Sequence, residues 1–323
     1  MFLFYLTTFR NKLNMRSEKL LLFLLPFIFF TITSCSSDSG DSPTKPNPVQ
    51  PEVINPANQK LVSILYPKSM DIGYSRDPQT YEYDDLKRVN KISFTGWVYG
   101  VTYVNDNLIE IDMLDDPIAG FKQNSKRSLH LQNGNITLMV NSSFDVVEST
   151  KEVRSSSKDS VLFKYTNNYL SRLEYYGSSN NGKNYRLNRQ VDYKIENGNV
   201  TQMKETGYSG EVVEVNYTYD NSPYINMGDM IYETPFFYAF NYGMDIVVKD
   251  RIGKKSTNNV VKIDNIYKNY LPQPTAFNSI TLKRNLDEFG RLAEILMSGT
   301  TITEVNSTNF KKFTDVKMSF IYK

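Results

Sequence analysis

Tyr193-Lys194-Ile195-Glu196-Asn197-Gly198-Asn199-Val200-Thr201-Gln202-Met203 decides the fold of this chain. In its first limb Tyr193 and Ile195 alternate with Lys194 and Glu196. Two apolar side chains then share one face of a strand and two charges take the other. Asn197-Gly198 supplies the positive φ that a two-residue hairpin turn demands. Val200 and Met203 carry the apolar face into the return strand. The unit is a β-hairpin.

The same pattern recurs along the chain. Clear copies are Tyr81 to Ile92, Phe163 to Leu173 and Leu286 to Ile295. Weaker ones run from Tyr103 to Ile111 and from Leu129 to Met139, where Asn133-Gly134 is a second tight turn. Tyr217-Thr218-Tyr219-Asp220-Asn221-Ser222-Pro223-Tyr224 keeps only the opening of the unit. Phe289-Gly290 marks the turn of the fourth. Recurrence at this spacing makes the hairpin the building block of the whole domain. The 23 Tyr and 19 Phe suit half-buried pleated surfaces.

Consecutive hairpins pair with their neighbours. The expected fold is therefore all-β, a single large antiparallel meander of tandem hairpins. A sheet this wide curls to protect its inner face and edges, into an open shell or partial barrel. Residues 235–244, Pro-Phe-Phe-Tyr-Ala-Phe-Asn-Tyr-Gly-Met, are too aromatic for a solvated loop. They read as a short helix or loop covering the concave face, with an aromatic ligand platform as the sharper alternative.

Tyr-x-Tyr-Asp, a short turn, then Gly-Arg-Leu or Arg-Val and a later Ile is similar to the YD/RHS-type repeat. Tyr217 to Tyr224, followed by an irregular stretch from Ile225 to Lys255 and by Asn258-Asn259-Val260-Val261, resembles Bacteroidota lipoproteins of the DUF4595-like kind. Leu286 stands where that pattern has a Tyr. The resemblance implies an envelope protein and carries no catalytic residue with it.

The N-terminal region agrees with an envelope location. Leu20 to Ile32 is an apolar run preceded by Arg16 and Lys19. It ends in Ile32-Thr33-Ser34-Cys35, which resembles the lipobox of a bacterial lipoprotein signal. Such a run is shorter than the ~20 residues that a membrane span needs. Residues 1–34 are read as the signal peptide, with Met15 as the initiator. Cys35, the only cysteine, is read as the acylated first residue of the mature chain. Residues 35–57 are read as lipidated cysteine and disordered tether, rich in Ser, Asp, Pro and Gly. Its opening, Ser36-Ser37-Asp38-Ser39-Gly40-Asp41, resembles a surface-export signal. Residues 58–323 form the Tyr-rich β domain.

Removing residues 1–34 takes away Arg10, Lys12, Arg16, Lys19 and Glu18, which turns a net charge of +2 into −1. No electrostatic case for nucleic acid survives. An acylated Cys35 leaves no thiol chemistry. His130 is the only histidine; between Leu129 and Leu131 it faces away from both and reads as structural or surface. Zinc ligands are too few for a metal site, and no cofactor motif is present. Asp84-Asp85 and Asp115-Asp116 sit in expected turns, where Asp bonds its own backbone. The chain reads as no enzyme.

What remains is binding or structure. Trp97, Tyr99 and Tyr103, together with Phe236, Phe237, Tyr238, Phe240 and Tyr242, are candidates for stacking on a ligand. Asp159-Ser160-Val161 resembles an O-glycosylation site of Bacteroidota envelope proteins, at Ser160. The expected partners are the membrane, through Cys35, and a glycan or protein ligand of an outer-membrane, surface-exposed, monomeric ectodomain. The alternative is a structural or assembly component that handles lipid or a β-barrel partner.

Overall fold

The computed structural model describes residues 59–66, 78–94, 96–115, 121–147, 150, 153–178, 185–226, 245–268, 275–302 and 310–323. All of them belong to one unit, Ile54–Lys323. The signal peptide, Cys35, the tether, and Phe236, Phe237, Tyr238, Phe240 and Tyr242 with their covering segment lie outside the described residues.

Sixteen strands are described. The first four are β1 (Leu61–Leu65), β2 (Gln79–Tyr83), β3 (Val89–Phe94) and β4 (Trp97–Asn105). Next come β5 (Leu108–Asp115), β6 (Phe121–Gln132), β7 (Asn135–Val147) and β8 (Val153–Thr166). Then follow β9 (Tyr169–Ser178), β10 (Tyr185–Glu196), β11 (Asn199–Gly207) and β12 (Val212–Pro223). The last are β13 (Asn258–Lys268), β14 (Thr275–Leu286), β15 (Leu292–Ile302) and β16 (Phe310–Tyr322). A single helical turn, α1 (Asp245–Val248), precedes β13. Every strand pairs with its sequence neighbour, as the meander requires, and the sheet goes on to close completely. β1 pairs antiparallel with β16, Leu61 opposite Tyr322 and Leu65 opposite Ser319. The meander expected to curl into an open shell or partial barrel does curl, and carries on to a closed barrel. Closure pairs the two sheet edges that aggregation would otherwise exploit.

The turns form as their residues dictate. Asn133-Gly134 and Asn197-Gly198 have φ of 51° and 78°, and 50° and 78°. Asn167-Asn168 does the same job at 52° and 65°. Three other turns share a longer form. Asp84 N–H donates to Arg88 O at 2.9 Å, and Asp287 N–H to Arg291 O at 2.8 Å. Gly207 N–H donates likewise to Glu211 O at 2.9 Å. Each needs one left-handed residue before the return strand. Gly210 (85°) and Gly290 (77°) fill that position in two turns, Lys87 (63°) in the third. A side chain costs roughly 1–2 kcal/mol there, against the roughly 0.4–1 kcal/mol that glycine loses in the unfolded chain. Lys87→Gly is expected to raise stability by about 0.5–1 kcal/mol, read from the urea midpoint.

The wall has a definite polarity. On β10, Val191 and Tyr193 are buried inside while Asp192 and Lys194 point outward. On β15, Leu292, Ile295 and Met297 face in. On β2, Tyr81 and Tyr83 share the inner face, as the Tyr-x-Tyr spacing requires. The outer face carries cross-strand ion pairs between neighbouring strands. Lys91–Glu82 and Lys126–Glu110 stand at 2.8 Å, Lys164–Glu174 at 2.5 Å, Arg172–Asp192 at 2.6 Å and Lys317–Glu294 at 2.8 Å. Exposed pairs such as Lys91–Glu82 add little each, while Glu174 is itself buried beneath its partners.

They do tie stability to pH. A hydrogen bond from Lys164 holds Glu174 below its ordinary value of 4.5, and one from Lys317 does so for Glu294. The backbone N–H of Arg88 lowers Asp84 from 3.8. A carboxyl lowered in the folded state stabilises fully above its ordinary value and loses that contribution as pH falls through the folded one. The thermal midpoint is therefore expected to be flat at neutral pH and to drop once pH falls below about 4.

Candidate functional site

In a meander, alternate turns lie at the same end of the barrel. The tips of β2–β3, β4–β5, β6–β7, β8–β9, β10–β11 and β14–β15 therefore ring one mouth, together with the end of β16 and the start of β1. The segment leading from α1 into β13 crosses part of this mouth as a strap. Ile136 N–H donates to Arg251 O at 2.7 Å, Lys254 N–H to Asn168 O at 2.7 Å and Thr257 N–H to Gly198 O at 3.0 Å. Gly253 N–H donates to Asn135 Oδ1 at 3.0 Å. The strap thus ties down three successive tips, β6–β7, β8–β9 and β10–β11. Val247, Val248 and Ile252 are buried in the core.

A ring of side chains lines the mouth from inside. The last inward aromatic of several even-numbered strands bonds the carbonyl near the start of the strand before it. Tyr83 Oη donates to Leu61 O at 2.5 Å, Tyr165 to Ile136 O at 2.6 Å and Tyr219 to Val200 O at 2.7 Å. Tyr322 donates to Leu292 O at 3.1 Å. On β14 an arginine takes the role, Arg284 Nη1 donating to Val260 O at 2.6 Å. Such bonds satisfy hydroxyls that burial would otherwise penalise. Burial pushes the Tyr83 phenol up to about 12.

Tyr103, on β4, breaks the pattern. Its hydroxyl makes no hydrogen bond among the described residues, while its ring lies beneath two guanidinium groups. Arg88 sits 4.3 Å from the ring centroid and Arg251 5.8 Å. Burial raises the Tyr103 phenol against the opposing pull of Arg251 and Arg88. At neutral pH it is a protonated donor.

Tyr103 opens onto clefts that the strap borders. Two adjoining clefts of about 540 and 580 Å³ share Arg88, Tyr103, Asp250 and Arg251. Their walls carry six cations: Lys60, Lys87, Arg88, Lys249, Arg251 and Arg291. Among the described residues, the carboxylates lining them are Asp106 and Asp250. Two more carboxylates, Asp84 and Asp287, each fix the arginine four residues after themselves in the same way. Asp84 Oδ1 accepts the Arg88 N–H at 2.8 Å and its Oδ2 accepts Arg88 Nε at 2.9 Å. Asp287 holds Arg291 at 2.9 Å and 2.8 Å. Arg291 then lies 4.4 Å above the Tyr322 ring, and Lys60 4.6 Å above Tyr83. Cations over tyrosine faces, held by clamps, make a fixed positive surface with exposed ring edges.

Of the stacking candidates that are described, only Tyr103 lines this cleft. Tyr99 is 7% exposed and stacks on Phe94 inside the barrel, centroids 5.6 Å apart. Trp97 begins β4 and packs against the core at the far end of that strand from Tyr103. Ser160 is half-buried on β8, opposite Val140 and Tyr176. His130 is exposed while Leu129 and Leu131 are buried, as the alternation requires. Asp84 proves to be a turn residue engaged by its own hairpin. Sequence reading passed over Arg88, Arg251, Arg291 and Lys60. The twin spacing Asp84-x-x-x-Arg88 and Asp287-x-x-x-Arg291 was the available signal. No cluster of three potential metal ligands occurs among the described residues.

No family model matches this chain, and no curated protein does either. Among solved structures it is similar to a porin-like protein from Bacteroides vulgatus ATCC 8482, with 14% identity and a TM-score of 0.50. That match covers 81% of this chain and 98% of the other. It is also similar to a porin-like protein from Bacteroides uniformis ATCC 8492, at 12% identity, 81% and 95% coverage and a TM-score of 0.49. At this identity the first likeness is one of fold: a large all-β barrel.

Proposed function

We propose that this chain is a lipid-anchored, non-enzymatic protein of the bacterial outer membrane. Its barrel stands in water and binds a glycan at its mouth, in the clefts that the strap borders. The observation that carries the reading is the polarity of the wall. A barrel that crosses a bilayer turns an apolar band outward and a polar lumen inward. This one turns Lys91, Lys126, Lys164, Arg172, Asp192 and Lys317 outward, among some exposed apolar residues such as Phe144 and Leu162, and buries an apolar layer that includes Val191, Ile263, Ile295 and Met297 inside. A Lys or Arg facing lipid at the midplane costs about 2–4 kcal/mol. Likeness to a porin-like protein therefore supports the barrel and an envelope setting rather than a pore. The acyl chains on Cys35 would provide the attachment, and more than one chain makes it stable. Tyrosine ring edges beside fixed cationic donors suit the hydroxyls and charged groups of sugars. With β1 paired to β16, the sheet offers no free edge to a β-barrel partner, which disfavours the assembly reading.

Proteinase K on intact cells tests the anchoring. Cleavage in the tether is expected to release an intact barrel into the supernatant without detergent. A barrel that stays in the membrane pellet after the tether is cut would overturn the proposal. Release only after lysis would move the protein to the periplasmic face.

A further inference from the structure

We infer that the glycan bound at this cleft is acidic, a polysaccharide carrying carboxylate or sulfate groups, seated on Arg88, Arg251 and Tyr103. The inference rests on the glycan-binding reading above and deepens it. Charge is the first argument. Among the described residues, the six cations of the two clefts exceed the four carboxylates that line or clamp them, Asp84, Asp106, Asp250 and Asp287. The surplus sits in a concave, partly desolvated surface, where a charge acts over more than its own contact distance. The mature chain as a whole has no such excess, its net charge being −1. The cleft is a local concentration, not a reflection of composition.

Geometry is the second argument. Arg88 spends Nε and Nη2 on Asp84, at 2.9 and 2.8 Å, which fixes the plane of its guanidinium. A fixed, planar guanidinium recognises carboxylate and sulfate with little ordering cost. Arg251 approaches the same ring from the strap and is itself fixed, Nη1 donating to Val247 O at 2.9 Å. The hydroxyl of Tyr103 is the third argument. Its counterparts Tyr83, Tyr165, Tyr219 and Tyr322 spend theirs on the wall; Tyr103 keeps its own for the cleft. A neutral donor between two cations adds a hydrogen bond to an anion without adding charge.

The test uses the full chain in detergent micelles and calorimetric titration. The probes are oligogalacturonate, its carboxyl-reduced neutral counterpart, and a sulfated chondroitin oligosaccharide. Acidic probes are expected to bind at least tenfold more tightly than the neutral one, and binding is expected to weaken as salt rises. Tighter binding of oligogalacturonate than of the sulfated probe would assign carboxylate, and the reverse would assign sulfate. Arg88→Ala with Arg251→Ala is expected to lower affinity for the acidic probe at least tenfold, and Tyr103→Phe about threefold. Lys204→Ala with Lys283→Ala, on the outer wall, controls for loss of charge alone and is expected to leave affinity unchanged. Equal binding of neutral and acidic probes, with loss in Tyr103→Ala, would overturn the acidic ligand and leave glycan binding standing. No binding by any probe at millimolar concentration would overturn both.

Discussion

Gly253→Ala is expected to release the strap from the mouth of the barrel. Gly253 has φ of +81°, where a residue with a side chain costs roughly 1–2 kcal/mol. A Cβ there would also lie 2.3 Å from Asn168 O, the carbonyl that accepts the Lys254 N–H. That neighbour is backbone and cannot rotate away, so a further cost of about 1–3 kcal/mol follows from overpacking. The bonds on either side, Ile136 to Arg251 and Thr257 to Gly198, are the strap's other backbone moorings, beside the Gly253 N–H bond to Asn135 Oδ1. They share one short segment and should be lost together. The expected result is faster amide exchange at Ile136, Lys254 and Thr257, with exchange in β14 and β15 unchanged. Arg251 travels with the strap, so affinity for an acidic probe should fall in the same variant. Retained protection at Lys254 would refute the account of how the strap is held.

How much of this was legible in the sequence depends on how far apart the interacting residues stand. Asn133-Gly134 and Asn197-Gly198 are local instructions, because positive φ is a property of those two residues alone. The inward direction of Tyr81 and Tyr83 was legible for the same reason: alternation on a strand fixes the face. Barrel closure was not. It pairs Leu61 with Tyr322, and nothing in Leu61-Val62-Ser63-Ile64-Leu65 names its partner. The strap was legible only as an irregular stretch. Its structure comes from backbone groups on three distant hairpins, which no local pattern encodes. Aromatic residue type also left the site ambiguous. Tyr99 and Tyr103 both face inward from β4, and only their heights along the strand separate a core ring from a cleft ring. The arginines were overlooked because Asp84-x-x-x-Arg88 satisfies a turn by itself, and its second duty shows only when Tyr103 lies beside it.

The polarity of the wall yields the other large effect, a contrast between adjacent residues. Ile263 on β13 is fully buried, flanked across the sheet by Tyr217 of β12 and Ile280 of β14, both buried. Ile263→Ala removes buried methyl and methylene groups from a packed layer and is expected to cost about 2–5 kcal/mol. Lys262, one residue earlier, points to the other face and pairs with Asp264 at 2.7 Å, its side chain 42% exposed. Lys262→Ala is expected to cost less than about 1 kcal/mol, the ordinary worth of an exposed pair. Urea midpoints of the two variants measure the contrast directly. A barrel seated in lipid predicts the reverse order, since its outward side chains face hydrocarbon and its lumen faces water. There Lys262→Ala would stabilise and Ile263→Ala would be nearly silent. The sign of the difference between neighbouring positions therefore decides which face of the sheet meets water. It does so independently of any ligand, because both substitutions lie in the strand itself and neither residue lines the cleft.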